Sequence, residues 1–395
     1  MKLGIPAETF PGELRVALTP SVIPTLVKEK IEILIEVDAG INAGFSNADY
    51  ASQGAQIEPS RADLYAKSDM IACVRGPYIR SGDDQNLGLL HHNQTILGLL
   101  DPLANPEIAL GFISKGVTSF ALELLPRISR AQPMDVLSSM ATVSGYKAAL
   151  LAANYLPKFY PLLITAAGTI TPAKVLVLGA GVAGLQAIAT SRRLGALVQA
   201  YDVRSEVKIQ VESLGAKFLE LDLDTVGTQT ISGYAQAMDT EFYQRQQVMM
   251  RAAIADSDAV ITTAAVQGKR APILVTADMT ASMKPGSIII DMAAESGGNC
   301  ELTKPGENVK VNGIMILGPL NLPSSIAYHS SQMYAKNLTN FVLNLTVDGE
   351  ININYTDPII RDSIVTHKDT VVNPKICELL QIAAPNPTNS QEGAA

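Results

Sequence analysis

The sequence predicts an α/β protein of two doubly wound parallel-sheet domains, and three observations predict it. Short apolar runs alternate with helical runs twice along the 395 residues, a rhythm that builds βαβ units and parallel sheets. One apolar run, beginning at Val175, passes straight into a glycine-rich turn that opens a helix. The length exceeds what one ordinary core fills and implies about two domains.

In chain order, apolar strands are expected at 1–5, 31–37, 70–74, 94–100 and 118–121, spaced by helices at 19–29, 47–52 and 105–114. A long helix with Ala, Leu and Val at helical spacing follows at 134–153. A second α/β unit begins near Pro172 and continues through strands at Val175, Leu197, Lys217, Ala259 and Ser287. A helix at 324–345 then returns the chain. The expected organisation is an N-terminal α/β domain over 1–135, completed by about 325–380, with a domain over 136–324 inserted into it. Residues 383–395 lack apolar periodicity and are expected to be disordered. Ligands of doubly wound sheets lie at the carboxyl ends of the strands, here in an expected cleft between the two domains.

The turn Gly179-Ala180-Gly181-Val182-Ala183-Gly184 reads as a Rossmann-like dinucleotide site. Gly179 permits the turn off the strand, Gly181 removes a side chain where backbone must approach a pyrophosphate, and Gly184 lets the next helix lie close to the sheet. The positive end of the helix at 182–194 then receives phosphate charge. Asp202 closes the next strand, about 20 residues on, as that arrangement requires. Its carboxylate suits ribose hydroxyls and repels a 2′-phosphate, so NAD(H) is expected over NADP(H); the neighbours Val203 and Arg204 belong to the same site, and Arg204 is the one residue that could argue for the phosphate.

Composition excludes several classes. A formal net charge of −8 and a pI near 5.1 argue against nucleic acid or an anionic membrane surface as direct partner. The most apolar stretch, 148–168, is broken by Asn154, Pro157, Lys158 and Pro161, so no membrane insertion is expected. The first residues run into a strand without a charged-then-apolar leader, which points to the cytoplasm. Cys73, Cys300 and Cys377 are scattered, and so are His91, His92, His329 and His367; no metal site is expected.

Between the two predicted domains, 127–138 gathers Arg127, Ile128, Ser129, Gln132, Asp135 and Ser138. One reading is a polar linker capped into the next helix by Asp135. The other is a hinge loop that grips a nicotinamide carboxamide, which needs donors for its oxygen and acceptors for its NH2.

Gly4-Ile5-Pro6-Ala7-Glu8, the run Glu13-Leu14-Arg15-Val16-Ala17-Leu18-Thr19-Pro20 and the block 179–202 resemble the paired signatures of alanine dehydrogenases and NAD(P) transhydrogenases. Segments 127–138, 165–168, 182–190 and 297–300 resemble the NAD(H)-binding component of proton-translocating transhydrogenases. The resemblance implies a subunit that passes a hydride from NADH to NADP+ held on a partner, with membrane-spanning and NADP(H)-binding subunits as partners, a homodimeric state and peripheral attachment to a membrane. It implies that Arg127, Gln132, Asp135 and Ser138 contact the nicotinamide, Gln132 bridging towards the second nucleotide. It also implies that Gly233 and Tyr234 lie on a loop closing over NAD(H), and that Gln246, Ala265 and Val266 line the cofactor.

Against alanine dehydrogenases the departures matter. Their histidine after the strand that ends at Leu100 and Asp101 is missing, their substrate lysine is replaced by Arg75, and their aspartate before the double glycine is Glu295. Arg15 survives and reads as an ion pair with Glu8 or Glu13. Hydride transfer between two nicotinamides moves no proton at the reacting carbons, so orienting side chains suffice and a general acid is unnecessary. A soluble amino-acid dehydrogenase and a non-catalytic NAD(H) sensor are the competing expectations.

Overall fold

The computed structural model describes residues 1–77, 85–220, 240–265 and 267–383, without the side chains of 85 and 240–246. The chain divides into two compact units, Met1–Met140 with Pro323–Ala395, and Ala141–Leu322. The junction falls inside the helix Val136–Tyr155 rather than before it.

The first unit is built on an eight-stranded sheet in the order Thr370–Val371, Ile364–His367, Thr118–Ala121, Thr95–Leu99, Met70–Arg75, Lys2–Ile5, Glu32–Glu36, Gln56–Glu58. Its N-terminal strands are parallel. The C-terminal segment adds two antiparallel strands, with Ile364 opposite Phe120. Strands covered on both faces read as continuous apolar runs, and Met70 through Val74 are all buried. Helix Ala327–Leu345 covers one face with Tyr334, Leu338, Phe341, Val342 and Leu345, all fully buried at helical spacing. Each such side chain contributes about 1.5–3 kcal/mol on leaving water.

The second unit carries a seven-stranded sheet in the order Lys217–Phe218, Leu197–Tyr201, Lys174–Leu178, Ala259–Thr262, Ile288–Asp291, Ile314–Leu317, Asn308–Val311. All pairings are parallel except that of the edge strand Asn308–Val311. Lys174–Leu178 pairs with Leu197–Tyr201 on one side and Ala259–Thr262 on the other, which makes its carboxyl end the point where strand order reverses.

One helix among the described residues, Val136–Tyr155, is long and apolar enough by length and composition to cross a membrane. The sequence places the most apolar stretch later, at 148–168; there the structure has the end of that helix and the hairpin Leu163–Thr165 with Gly168–Ile170. The helix is apolar because it packs closely: Ala148, Ala149 and Ala152 are fully buried in the second unit's core. A Cβ on Gly145 would lie 2.0 Å from the carbonyl oxygen of Ala183, so this helix meets the glycine-turn helix backbone to backbone. Gly145→Ala is expected to destabilise the protein by about 1–3 kcal/mol through overpacking; urea unfolding of variant and parent side by side measures it, and equal midpoints would refute the close approach.

Candidate functional site

In the second unit the site starts from backbone. Gly179 has φ +98°, a conformation open to glycine at little strain. Its N–H donates to Tyr201 O at 2.8 Å, closing the end of one strand on the next. Helix Val182–Arg193 begins at Gly181, with no side-chain cap and no acid in its first turn. Its first N–H groups and positive end are therefore open to an anion. Gly184 is the tight position: a Cβ there would sit 1.9 Å from Gly179 O. Ala180 is buried, whereas Val182 stands partly in solvent and Val203 is 78% exposed.

Asp202, 8% exposed, is fully engaged. Its Oδ2 accepts from Ala180 N at 2.7 Å and Arg204 Nη2 at 3.0 Å, and its Oδ1 accepts from Arg204 N at 2.9 Å and Nε at 3.0 Å. Burial works to raise the carboxyl's pKa, but these hydrogen bonds and the guanidinium charge outweigh it and hold the pKa below the usual range. Those four donors match a carboxylate's acceptor capacity, so a ribose hydroxyl reaches Asp202 by replacing an Arg204 contact. Arg204, in turn, is spoken for by Asp202, so a 2′-phosphate would have to take it from a buried carboxylate.

Two polar side chains complete this edge of the sheet, and sequence reasoning singled out neither. Thr263 Oγ1 donates to Gly179 O at 3.1 Å, placing the loop after Ala259–Thr262 against the turn. Asn299 is fully buried; its Oδ1 accepts from Ala264 N at 3.0 Å and its Nδ2 donates to Ala264 O and Pro272 O, each at 2.8 Å. Ala265 follows directly and is exposed. Asn299 stands inside the 297–300 segment picked out by resemblance, which offers no signal for its amide's task. Gln246 lies on helix Thr240–Asp256, but its side chain, with Gly233, Tyr234 and Val266, falls outside the described residues.

The segment 127–138 lies wholly in the first unit rather than between two domains. It forms the 3-10 helix Ser129–Met134 and then the start of Val136–Tyr155. Asp135 caps that helix: Ser138 N donates to its Oδ1 at 2.9 Å and Ser138 Oγ to its Oδ2 at 2.6 Å. Asp135 and Ser138 thus hold each other, as the capped-linker reading expects. Arg127, Ile128, Ser129 and Gln132 are exposed, and among the described residues no side chain or backbone group binds the Arg127 guanidinium or the Gln132 amide. Both polar ends are available to a ligand, the guanidinium as donor and the amide as donor and acceptor.

At the reversal point of the first unit's sheet, beside Lys2–Ile5 and Met70–Arg75, charges are paired internally. Arg15 and Glu13 are both buried and joined by Nη2 to Oε2 at 2.6 Å and Nε to Oε1 at 2.7 Å. The expected ion pair of Arg15 is therefore with Glu13. Glu8 accepts from Val74 N at 2.6 Å and Arg75 N at 3.1 Å, and Arg75 lies over the Phe10 ring at 4.5 Å. The cavity left there, lined by Glu8, Cys73 and Arg75 among others, is about 10 Å³, whereas substrate pockets are of order 300 Å³ or more.

Known proteins share this fold. The N-terminal domain of the Alanine dehydrogenase/PNT description matches residues 4–144 and its C-terminal domain matches 148–374. The chain belongs to this family. It is 40% identical to the polypeptide named as the first part of NAD(P) transhydrogenase subunit alpha in Rhodospirillum rubrum, over 95% of this chain and 99% of that one. It is 30% identical to the alanine dehydrogenase of Halomonas elongata over 88% of each. Its fold superposes on the crystal structure of transhydrogenase from Sinorhizobium meliloti with TM-score 0.85 and 38% identity, covering 94% of this chain and all of that one. The mixed α/β architecture of two parallel-sheet units is the one these proteins share.

One buried acid beyond the first unit's sheet is set to hold its proton. Glu123, beyond strand Thr118–Ala121, accepts the Asp101 N–H, and burial, opposed by its backbone hydrogen bonds and reinforced by Asp101, pushes its pKa from 4.5 up to about 7. A carboxyl with a raised folded-state pKa binds its proton more tightly when folded, so stability falls as pH rises from about 4.5 to about 7. In thermal melts from pH 5 to 8, Glu123→Gln is expected to lose less Tm than the parent; identical slopes would refute a raised pKa.

Proposed function

We propose that this chain is the NAD(H)-binding component of a proton-translocating transhydrogenase. In this reading it passes a hydride between its own NAD(H) and NADP(H) held by a partner subunit, and a membrane-spanning subunit couples the transfer to proton movement. The observation that carries it is the end-to-end match to a transhydrogenase subunit whose name makes it one piece of an assembly. A homodimer, attached peripherally to the cytoplasmic side of a membrane through its partners, belongs to the same reading.

The residues fit the cofactor. Gly181 and the uncapped N-terminus behind it would take the pyrophosphate, and Asp202 the adenosine ribose, its negative charge disfavouring a 2′-phosphate. Arg127 and Gln132 would orient the nicotinamide carboxamide, with the Asp135 and Ser138 pair fixing the loop's exit into the helix. The bound dinucleotide supplies the hydride chemistry, one C–H bond broken on the donor ring and one formed on the acceptor. What this chain adds is orientation and exclusion of water, which can account for several powers of ten in rate.

An amino-acid dehydrogenase needs a keto-acid pocket and a proton carrier. This chain has Arg75 in place of the alanine dehydrogenases' substrate lysine, Glu295 in place of their aspartate and no histidine directly after Leu100 and Asp101. Mixing the purified chain with an NADP(H)-binding transhydrogenase domain and following hydride exchange to a NAD analogue tests the proposal. Exchange without turnover of pyruvate, ammonia and NADH is expected; the reverse pattern would sink it. Gln132→Asn should slow exchange by about tenfold or more while NADH affinity changes by less than about threefold, the signature of a lost placement contact. Asp202→Ala should weaken NADH by roughly tenfold, in line with a charged hydrogen bond, and narrow the preference over NADP(H), because it removes the repelling charge and releases Arg204.

A further inference from the structure

We infer that one face of helix Ala327–Leu345, formed by Asn337, Asn340 and Asn344, is a positioning element for the segment that carries Gln132. Residues three and four apart share a helix face, and these three all turn their amides to the same short stretch. Asn337 Nδ2 donates to Pro133 O at 2.8 Å, and Asn340 Nδ2 donates to the same oxygen at 3.0 Å. A carbonyl oxygen has two lone pairs, so the residue after Gln132 is held on both. Asn344 Oδ1 accepts from Arg130 Nη1 at 3.2 Å, and its Nδ2 donates to Asp357 Oδ2 at 3.1 Å. Asp357 binds Arg130 in turn, through Nη1 at 3.0 Å and through Nη2. Arg130 and Pro133 are both anchored, and they bracket Ala131 and Gln132.

Two further observations separate this from ordinary helix packing. Asn337 is buried, and its Oδ1 has no hydrogen-bond partner. Turning the amide over would set that oxygen against Pro133 O, so the residue leaves an acceptor unmet in order to deliver its donor. A leucine there would fill the core without that penalty. The exposed Gln132 side chain binds no described residue, so its neighbours fix where it stands. Positions 130 and 133 are therefore where its reach is set.

The inference rests on the proposal that Gln132 places the nicotinamide, and the test keeps the two apart. Asn340→Ala and Asn344→Ala, on the less buried part of the face, remove contacts with little threat to folding. Asn337→Asp keeps the shape and removes the donors. For each, hydrogen exchange of the peptide 127–138, NADH affinity of the chain alone, and hydride exchange with an NADP(H)-binding domain are measured. Expected are amides in 127–138 that exchange several-fold faster. Transfer should be about tenfold slower and NADH affinity should stay within about threefold. Asn340→Gln, which keeps a donor, should recover much of the transfer. Unchanged protection and transfer in Asn340→Ala and Asn344→Ala would overturn the inference, and so would equal losses of affinity and transfer. A parent chain that transfers nothing would instead overturn the functional proposal, and hydrogen exchange would still decide the positioning.

Discussion

The contact on which the second unit depends is between two pieces of backbone. A Cβ on Gly184 would stand 1.9 Å from the carbonyl oxygen of Gly179, so the helix after the turn begins almost in touch with the strand before it. That approach brings the uncapped start of Val182–Arg193 to the carboxyl edge of the sheet, where strand order reverses. A Cβ on Gly145 would likewise lie 2.0 Å from Ala183 O, so helix Val136–Tyr155 also meets this one backbone to backbone. Side chains would hold these elements apart, and the turn's free N–H groups would no longer converge.

Charge is managed the same way in both units, by pairing within the chain. Asp202 with Arg204, Glu13 with Arg15 and Asp357 with Arg130 each occupy acids with a nearby guanidinium. Buried ions carry a desolvation penalty that only a partner offsets, so these pairs also fix local shape. Against that background the exposed Gln132 stands out: its neighbours Arg130 and Pro133 are held by Asp357, Asn344, Asn337 and Asn340. Exposure with a fixed backbone is what a ligand-orienting residue requires.

Much of the fold was legible because it is written in local periodicity. Leu3 and Ile5, Met70 to Val74 and Val175 to Leu178 are apolar runs that only a sheet covered on both faces buries well, and the helices at Val182–Arg193 and Ala327–Leu345 carry matching stripes. Ile314–Leu317 escaped notice although it is an apolar, largely buried run; most other missed strands lacked such a stripe. Gln56–Glu58 is a short polar edge strand. The hairpin Leu163–Thr165 with Gly168–Ile170 is solvent-facing, with Ile164 at 81% exposure. Ile364–His367 becomes a strand by pairing with Thr118–Ala121, a partner remote in the chain.

For the candidate site the division follows the same physics. The sequence by itself determined the glycine turn, the acid at the end of the next strand and the helix that follows, since each depends on backbone conformation and spacing over a few tens of residues. Only the tertiary structure decided that Arg204 occupies Asp202, that Arg15 belongs to Glu13, and that Asn299, Asn337 and Asn340 hold particular carbonyls. A single amide has no periodicity, and its partner can be 204 residues away, as Asn337 is from Pro133. Such contacts exist only after the apolar faces have packed and brought those backbones within reach.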